Sequence, residues 1–400
     1  METCPQCAAG LVAPGGGPPW CPACEWNLGA YDERRVPELG WRGLDRRAHR
    51  LAYRLTTGPS RAGGHARWLL LGASVFLLAA IAGMVGLGAW IVYTTWLSFA
   101  TVFGVLLLLL GYVLRPRLGR LDRDADRLEP ASAPAFFALL RRVAEATGAP
   151  MPDVVMVDSR LNASASAVGL RRTKVLTVGL PLWAVLAPQE RVALLGHELG
   201  HFVNGDVRRG PLTGVATRTL GELSLMLRPG APSGGSLLMM AADVLARAVL
   251  RVAHTVTVAA RVLLVWLSMR ESQRAEYLAD DLAARAAGTE AAASLLDLLA
   301  RSETLGMYVR RDARAGLSPA AARASVAALR VADPVVRQRS IREEVSMFAS
   351  HPPSGLRARR IARLSPAAPA VLLTDADDTA IDAELDRRYA SARREIAIGG

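Results

Sequence analysis

The chain has 400 residues, 51% of them hydrophobic, and a mean hydropathy of +0.22; these values exclude an entirely soluble protein and place part of the chain in a membrane. The formal charge of +12 comes almost wholly from arginine, Lys174 being the one lysine. Excess positive charge suits either a cytoplasmic face beside anionic lipid or a nucleic-acid partner, and only its position along the chain can choose between them.

All four cysteines fall in the first 24 residues, as Cys4-Pro5-Gln6-Cys7 and Cys21-Pro22-Ala23-Cys24. Two C-x-x-C knuckles joined by a Gly- and Pro-containing stretch suit a tetrahedral four-thiolate zinc site. Two disulfides are the alternative. No apolar secretory leader precedes the knuckles, so a reducing compartment and metal are expected, and residues 1–30 are read as a zinc ribbon.

Residues 31–67 are a basic juxtamembrane linker. Trp41, Leu44, Ala48, Leu51, Ala52 and Leu55 share one helical face, with Arg42, Arg46, Arg47, Arg50 and Arg54 largely elsewhere. Such a helix can lie on an anionic leaflet, and a solvated linker helix fits equally well. From Trp68 to Leu114 there is no charged residue. A single helix of that length would measure about 70 Å against a hydrocarbon core of roughly 30 Å, so residues 68–114 are expected to form a transmembrane hairpin of two spans. Its turn is placed near Tyr93-Thr94-Thr95-Trp96, where aromatic and hydroxyl side chains suit an interface. Arg61 and Arg67 precede it, and Arg115, Arg117, Arg120, Arg123 and Arg127 follow it. That bias puts the amino terminus and everything after the hairpin in the cytoplasm.

Beyond the hairpin the periodicities predict a helix over Pro134–Thr147, a strand over Pro152–Val157, an alternating small and polar run over Asn162–Val168, and a strand over Lys174–Val178. An exposed strand edge beside a metal-binding helix can hold an extended substrate, and Asn162 and Ala163 open the run placed to do so; a purely structural hairpin is the alternative. The helix that follows, Pro188 to Val203, carries His197-Glu198-Leu199-Gly200-His201. Histidines four residues apart project one above the other from one face, so both imidazoles can reach a single Zn²⁺ with Glu198 beside it to handle protons. Val192, Leu195, Leu199 and Phe202 cluster roughly opposite, which separates an apolar core side from a metal side.

Residues 237–269 are apolar but interrupted by Asp243, Arg247, Arg251, His254 and Arg261. An arginine near a bilayer centre costs roughly 2.5 to 3.5 kcal/mol on insertion scales. The segment is therefore expected to lie against the membrane or be partly buried, with additional spans as the alternative. A helix is expected to open at Glu271, with Glu276 and Asp280 one turn apart on one face; one carboxylate can complete a two-histidine zinc site while the other orients an imidazole. From Glu290 onward the chain reads as Ala/Arg-rich helix, punctuated by His351-Pro352-Pro353-Ser354-Gly355-Leu356-Arg357. Residues 366–400 are expected to end in a charged surface helix over Asp375–Ile396.

Taken together, Asn162-Ala163, the HELGH helix followed by Asn204 and Asp206, Glu276-Tyr277-Leu278-Ala279-Asp280 and His351-Pro352-Pro353 leading to Arg357 resemble the membrane-integrated HtpX-type zinc endopeptidases, which are related to the CAAX prenyl endopeptidases. The resemblance covers residues 130–365. It implies a mostly α fold: a gluzincin-like metallopeptidase domain with a small β-sheet, attached here to a transmembrane hairpin and an amino-terminal zinc ribbon. It implies zinc held by His197, His201 and Glu276, Glu198 as general base, and Asp280 orienting a ligand. His351 and Arg357 are candidates for stabilising the oxyanion. The expected cofactors are two Zn²⁺, one catalytic and one held by Cys4, Cys7, Cys21 and Cys24. The expected partners are polypeptides, unfolded or membrane proteins among them, and the lipid bilayer rather than nucleic acid. The resemblance suggests quality control of damaged membrane proteins at a multi-pass membrane location. A different class of function, a proteolytically inactive membrane-tethered adaptor recruiting a protein or nucleic-acid partner through the ribbon, is the alternative, and retention of both histidines, Glu198 and Glu276 argues against it.

Overall fold

The computed structural model describes residues 2–32, 39–57, 64–96, 98–115, 121, 125–169, 171–230, 237–346 and 351–398. Of the arginines used above to orient the hairpin, Arg61, Arg117, Arg120 and Arg123 lie outside the described residues. The chain divides into two compact units, one comprising residues 1–60, 120–208 and 272–400, the other residues 61–119 and 209–271.

In the second unit are α2 (Gly64–Thr94) and α3 (Phe99–Val113), and between them the Ser98 amide donates to the Thr95 carbonyl at 3.0 Å. The Ser98 hydroxyl caps α3 by accepting from the Ala100 amide, which satisfies a donor that an apolar helix start would otherwise leave open. The two helices meet at glycines: a Cβ on Gly88 would stand 2.9 Å from the Gly104 carbonyl oxygen, and one on Gly104 would stand 2.9 Å from that of Gly88. Small residues at such a crossing let backbones approach where lipid offers no hydrophobic driving force between helices. α7 (Asp206–Met226) and α8 (Leu237–Ala287) extend into this unit, where Ala216, Leu220 and Leu264 form a small core with Ala73 and Leu77. Two stretches, Leu71–Thr94 and Met239–Trp266, are long and apolar enough to cross a membrane. Their outward side chains are large and apolar, among them Phe76, Trp90, Val244 and Val252. Residues 237–269 contain no turn, so the helix expected to open at Glu271 is instead the later part of α8. The polar groups in the apolar stretch find partners: Asp243 pairs with Arg247, and His254 Nδ1 lies 2.8 Å from the Ser224 carbonyl oxygen.

The first unit begins with the cysteine-bearing segment and α1 (Leu39–Thr57). It contains a four-stranded sheet in the order β1-β2-β4-β3, with β1 Asp126–Leu128, β2 Val154–Asp158, β3 Ala163–Val168 and β4 Thr173–Gly179. β2 and β4 run parallel, Val154 opposite Val175. β1 and β3 are antiparallel additions to the two sides, which leaves β3 at the edge. Against the sheet pack α5 (Leu180–Val185) and α6 (Pro188–Asn204), and α4 (Pro134–Thr147) packs on α6. Phe136, Leu140, Leu176, Trp183, Leu195 and Leu199 are at the centre of the core. The remaining helices are α9 (Thr289–Leu299), α10 (Ser302–Arg314), α11 (Pro319–Ser325), α12 (Pro334–Glu344), α13 (Ser354–Ile361) and α14 (Asp375–Ile398).

α14 is an amphipathic helix, with Asp375, Asp386, Arg387, Arg394 and Glu395 exposed on one side and the other side packed inward. Ile381, Leu385, Tyr389 and Ala392 form a buried stripe at helical spacing, and Asp378 and Asp382 each receive a nitrogen of the fully buried Arg191 at 2.7 Å. Arg323 reaches the same two carboxylates. Two shared carboxylates answer two guanidinium groups, so charges that would be costly to bury alone are paired. α6 is likewise buried on every side from Glu190 to Phe202. Its apolar side faces the core as the periodicity requires, while its histidine side is covered by α8, because Gly196 and Gly200 allow contact at the backbone. A Cβ on Gly196 would stand 3.0 Å from the Cα of Ala283, and one on Gly200 would stand 2.9 Å from the Cα of Ala279.

Replacing Gly200 by Ala tests this contact because two effects oppose. Helix propensity favours Ala by roughly 1 kcal/mol. Overpacking against a rigid backbone atom costs about 1–3 kcal/mol. A net loss of stability is expected on denaturant unfolding, and an unchanged or raised midpoint would show that the helices can part without cost.

Candidate metal centre

The α6–α8 contact brings three side chains to one point. His197 Nε2 and His201 Nε2 are 3.2 Å apart, and each lies 3.6 Å from a carboxylate oxygen of Glu276, which projects from α8. Bonds of about 2.0–2.1 Å to a tetrahedral zinc would separate the donor atoms by roughly 3.3–3.4 Å. Glu276 is buried, and its Oε2 has no hydrogen-bond partner among the described residues. A buried carboxylate oxygen without a hydrogen bond is disfavoured, and the Arg357 charge offsets only part of that. A cation between the three groups would offset the remainder. Two imidazoles, a carboxylate and this spacing therefore fit a zinc ion.

Around these atoms is a second set of contacts. His197 Nδ1 is 3.1 Å from Asp280 Oδ1, which turns the Nε2 of that ring toward Glu276. Asp280 is gripped by Arg357 on α13, whose Nε and Nη2 donate to its two oxygens at 2.9 and 2.6 Å. Arg357 Nη1 also lies 3.4 Å from Glu276 Oε2. Burial pushes the Asp280 carboxyl up, but the Arg357 charge and its hydrogen bonds outweigh that and hold it well below the usual carboxylate range. For Glu276 burial again acts upward, and the hydrogen bond from His351 with the charges of Arg357 and His197 brings it down to about 2. Burial pulls the Arg357 guanidinium down, yet Asp280, Glu276 and Glu198 keep it firmly protonated. Glu198 itself is buried beside His197.

His351 approaches from the other side. Its Nδ1 is 2.7 Å from Glu276 Oε1 while about half of its side chain stays exposed, and a nitrogen of its ring lies within 4.8 Å of ligand atoms of His197 and Glu276. The loop that carries it is pinned where α13 begins: the Ser354 amide donates to Glu344 and the Gly355 amide to Ser340 Oγ. A Cβ at Gly355 would stand 2.1 Å from the Arg337 carbonyl oxygen, so only glycine lets α13 sit this close to α12. At the far end of α6 the Asn204 amide donates to the Ala275 carbonyl at 3.0 Å, one residue before Glu276. The Asp206 side chain is outside the described residues. Asn162 lies just before edge strand β3, its carbonyl accepting from the Gly179 amide, and Ala163 is the strand's first residue.

The four cysteines form a separate cluster. They are free thiols, with Cys4 and Cys24 Sγ atoms 3.6 Å apart and those of Cys7 and Cys21 3.4 Å apart, and all four lie within 4.8 Å of one another. Sulfurs bonded to one tetrahedral zinc at about 2.3 Å would be separated by about 3.8 Å. The set thus has the size and ligand type for a zinc ion, distinct from the histidine centre.

Sequence reasoning missed where Arg357 points. Its donors are turned inward to Asp280, 77 positions away, and no local pattern announces a partner so distant.

Comparison with known proteins agrees with this geometry. The model of "Peptidase family M48" matches residues 130–365. Among curated proteins, the chain is similar to the "Protease HtpX homolog" of Syntrophobacter fumaroxidans, at 28% identity over 59% of this chain and 78% of that protein. It is similar to the protein of that name from Desulforapulum autotrophicum at 28% identity, over 60% and 71%. The "Protease HtpX homolog 1" of Saccharolobus solfataricus matches at 28% identity over 57% and 74%. No solved structure is significantly similar to the chain. With a family match over more than half its length that includes the helix presenting His197 and His201, the chain belongs to peptidase family M48 and is an HtpX-type metallopeptidase.

Proposed function

We propose that this protein is a membrane-anchored, zinc-dependent endopeptidase with His197, His201 and Glu276 as zinc ligands. The observation that carries the reading is the triangle of two imidazole nitrogens and a buried carboxylate, 3.2 and 3.6 Å on its sides. Bound there, zinc would lower the pKa of a water molecule toward 7 and polarise the peptide carbonyl. Glu198 accepts the proton of the attacking water as its oxygen bonds to the carbonyl carbon, and passes it to the amine nitrogen as the C–N bond breaks. His351, the half-exposed member of the cluster, is placed to donate to the oxygen on which charge develops. Arg357 supports the site from behind, holding Asp280 and through it the ring of His197. An extended substrate can add to the free edge of β3, beginning at Asn162 and Ala163.

The substrates are proposed to be unfolded or membrane polypeptides handled in quality control, because the apolar stretches Leu71–Thr94 and Met239–Trp266 would hold the active site at a bilayer. Cys4, Cys7, Cys21 and Cys24 are proposed to hold a second, structural zinc. The arginine bias at the ends of the hairpin supports a cytoplasmic location for the amino terminus and the peptidase unit.

Three substitutions separate the roles. Glu198→Gln should abolish cleavage of an unfolded model protein with zinc retained, and cleavage equal to wild type would remove the peptidase reading. Glu276→Ala should lose both metal and activity. Asp280→Ala should weaken zinc affinity by roughly 10- to 100-fold. Metal content is measured with the ribbon cysteines substituted, so that only the histidine centre is counted; full occupancy in Glu276→Ala would show that another residue is the third ligand.

Orientation has an independent check. Reporters fused at residue 1 or residue 400 should be protected in sealed right-side-out cells and accessible in inverted vesicles. The reverse pattern would overturn the cytoplasmic placement.

A further inference from the structure

The cysteine-bearing segment touches the helix pair α12 and α13, the second of which carries Arg357. Trp20, almost fully buried, donates its Nε1–H to Gln338 Oε1 on α12 at 3.0 Å. Gln338 Nε2 in turn donates to the Pro22 carbonyl at 2.8 Å, so one amide side chain reads both faces of the second knuckle. The guanidinium of Arg342, one turn further along α12, lies 5.0 Å over the Trp20 ring. Glu25, directly after Cys24, pairs with Arg359 on α13. Arg359 is two residues from Arg357, the residue that holds Asp280 and lies 3.2 Å from His197.

These contacts make a short path. The knuckle holds α12 through Gln338, α12 holds α13 through the glycine contact at Gly355 and the Ser340 hydroxyl, and α13 delivers Arg357 to Asp280. The knuckle cannot be rigid by itself. Chains below about 40 residues need disulfides or a metal to hold a fold, and its interior consists of little more than Cys4, Trp20, Cys21 and Leu28. The order of the knuckle, and with it the surface that grips Gln338, therefore depends on what binds the four sulfurs.

We propose that the four-cysteine segment is a positioning element for the peptidase site: its metal, acting through Trp20 and Gln338, fixes α12 and α13 and so sets Arg357 against Asp280 and His197. Gln338 is the positioning residue in this arrangement, since it touches neither substrate nor metal. The segment thus serves its own chain rather than recruiting a partner. The proposal rests on the peptidase reading for its effect on turnover, and on the packing alone for its effect on α13.

The test uses the full-length protein in detergent, with zinc content, amide hydrogen exchange and steady-state cleavage of an unfolded model protein measured on each variant. Cys4→Ser with Cys21→Ser should reduce zinc from two to one per chain. Exchange should rise over residues 334–344 and 354–361, and kcat should fall on the order of tenfold with KM little changed, as expected when an outer support of a metal ligand is loosened. Gln338→Leu should keep both metals and move exchange and kcat in the same direction, because it leaves Trp20 Nε1 and the Pro22 carbonyl without their partner. This second variant decides the matter if the cysteine variant does not fold. Exchange changes confined to residues 1–30 with kcat as wild type would overturn the proposal. So would a rise in KM alone, which is what a substrate-recruiting ribbon predicts. If the wild type cleaves nothing, the peptidase reading fails, and exchange over residues 354–361 still judges the positioning contact.

Discussion

The close approach of α6 and α8 is the constraint on which the site depends. Helices usually pack with axes 8–10 Å apart, the distance set by the side chains between them. Here Gly196 and Gly200 present bare backbone to the Cα atoms of Ala283 and Ala279. The consequence is at the side-chain level: Glu276, one turn before Ala279 and Asp280, comes within 3.6 Å of both histidine rings. A bulkier residue at either glycine would push the carboxylate away while leaving every ligand in the sequence. The glycine at the centre of HELGH thus acts on the geometry as much as the histidines it separates.

A second constraint is electrostatic. Glu198, Glu276, Asp280 and Arg357 are all buried, the last three in contact with His197, an arrangement that would be unfavourable unless the charges balance. Three carboxylates against one guanidinium leave excess negative charge, which a divalent cation would offset. Arg357 engages Asp280 through two donors and keeps it ionised, and an ionised Asp280 fixes the proton of His197 on Nδ1. The far nitrogen is then free to face Glu276. A lysine could supply the charge at position 357 but not the forked pair of donors that fixes the plane of the carboxylate.

How much of this was legible in the sequence follows from how local each signal is. The α6 helix, its two histidines and Glu198 lie within five residues, and helix geometry alone puts the rings on one face. α4 was predicted at its observed limits because Pro134 and Gly148 mark both ends. β1 was missed, since three residues carry no readable alternation. The boundary at Glu271 was misread because composition shifts there from apolar to charged, yet no glycine or proline interrupts residues 237–287, and backbone continuity follows propensity rather than polarity. For α14 the charges showed the exposed face, while the buried stripe of Ile381, Leu385, Tyr389 and Ala392 on its other side was not read. The partners of Trp20 and Arg357 lie 318 and 77 positions away, beyond the reach of any periodicity.

The order of segments along the chain adds a last point. The HELGH helix and the carboxylate that faces it belong to one compact unit, yet the chain between them, residues 209–271, belongs to the other. Closing a loop of that length is less costly than intuition suggests, because loop entropy grows only logarithmically and each doubling adds about 0.6 kcal/mol. What the long excursion does require is a strong reason for the two ends to meet. Gly196 and Gly200 against Ala279 and Ala283 supply shape, Asn204 donating to the Ala275 carbonyl supplies register, and Asp280 with Arg357 supplies charge. Each acts within two turns of Glu276, so packing within the chain positions the carboxylate. The two ends of the excursion are thus held together by contacts of the chain itself, around the point where the imidazoles and the carboxylate meet.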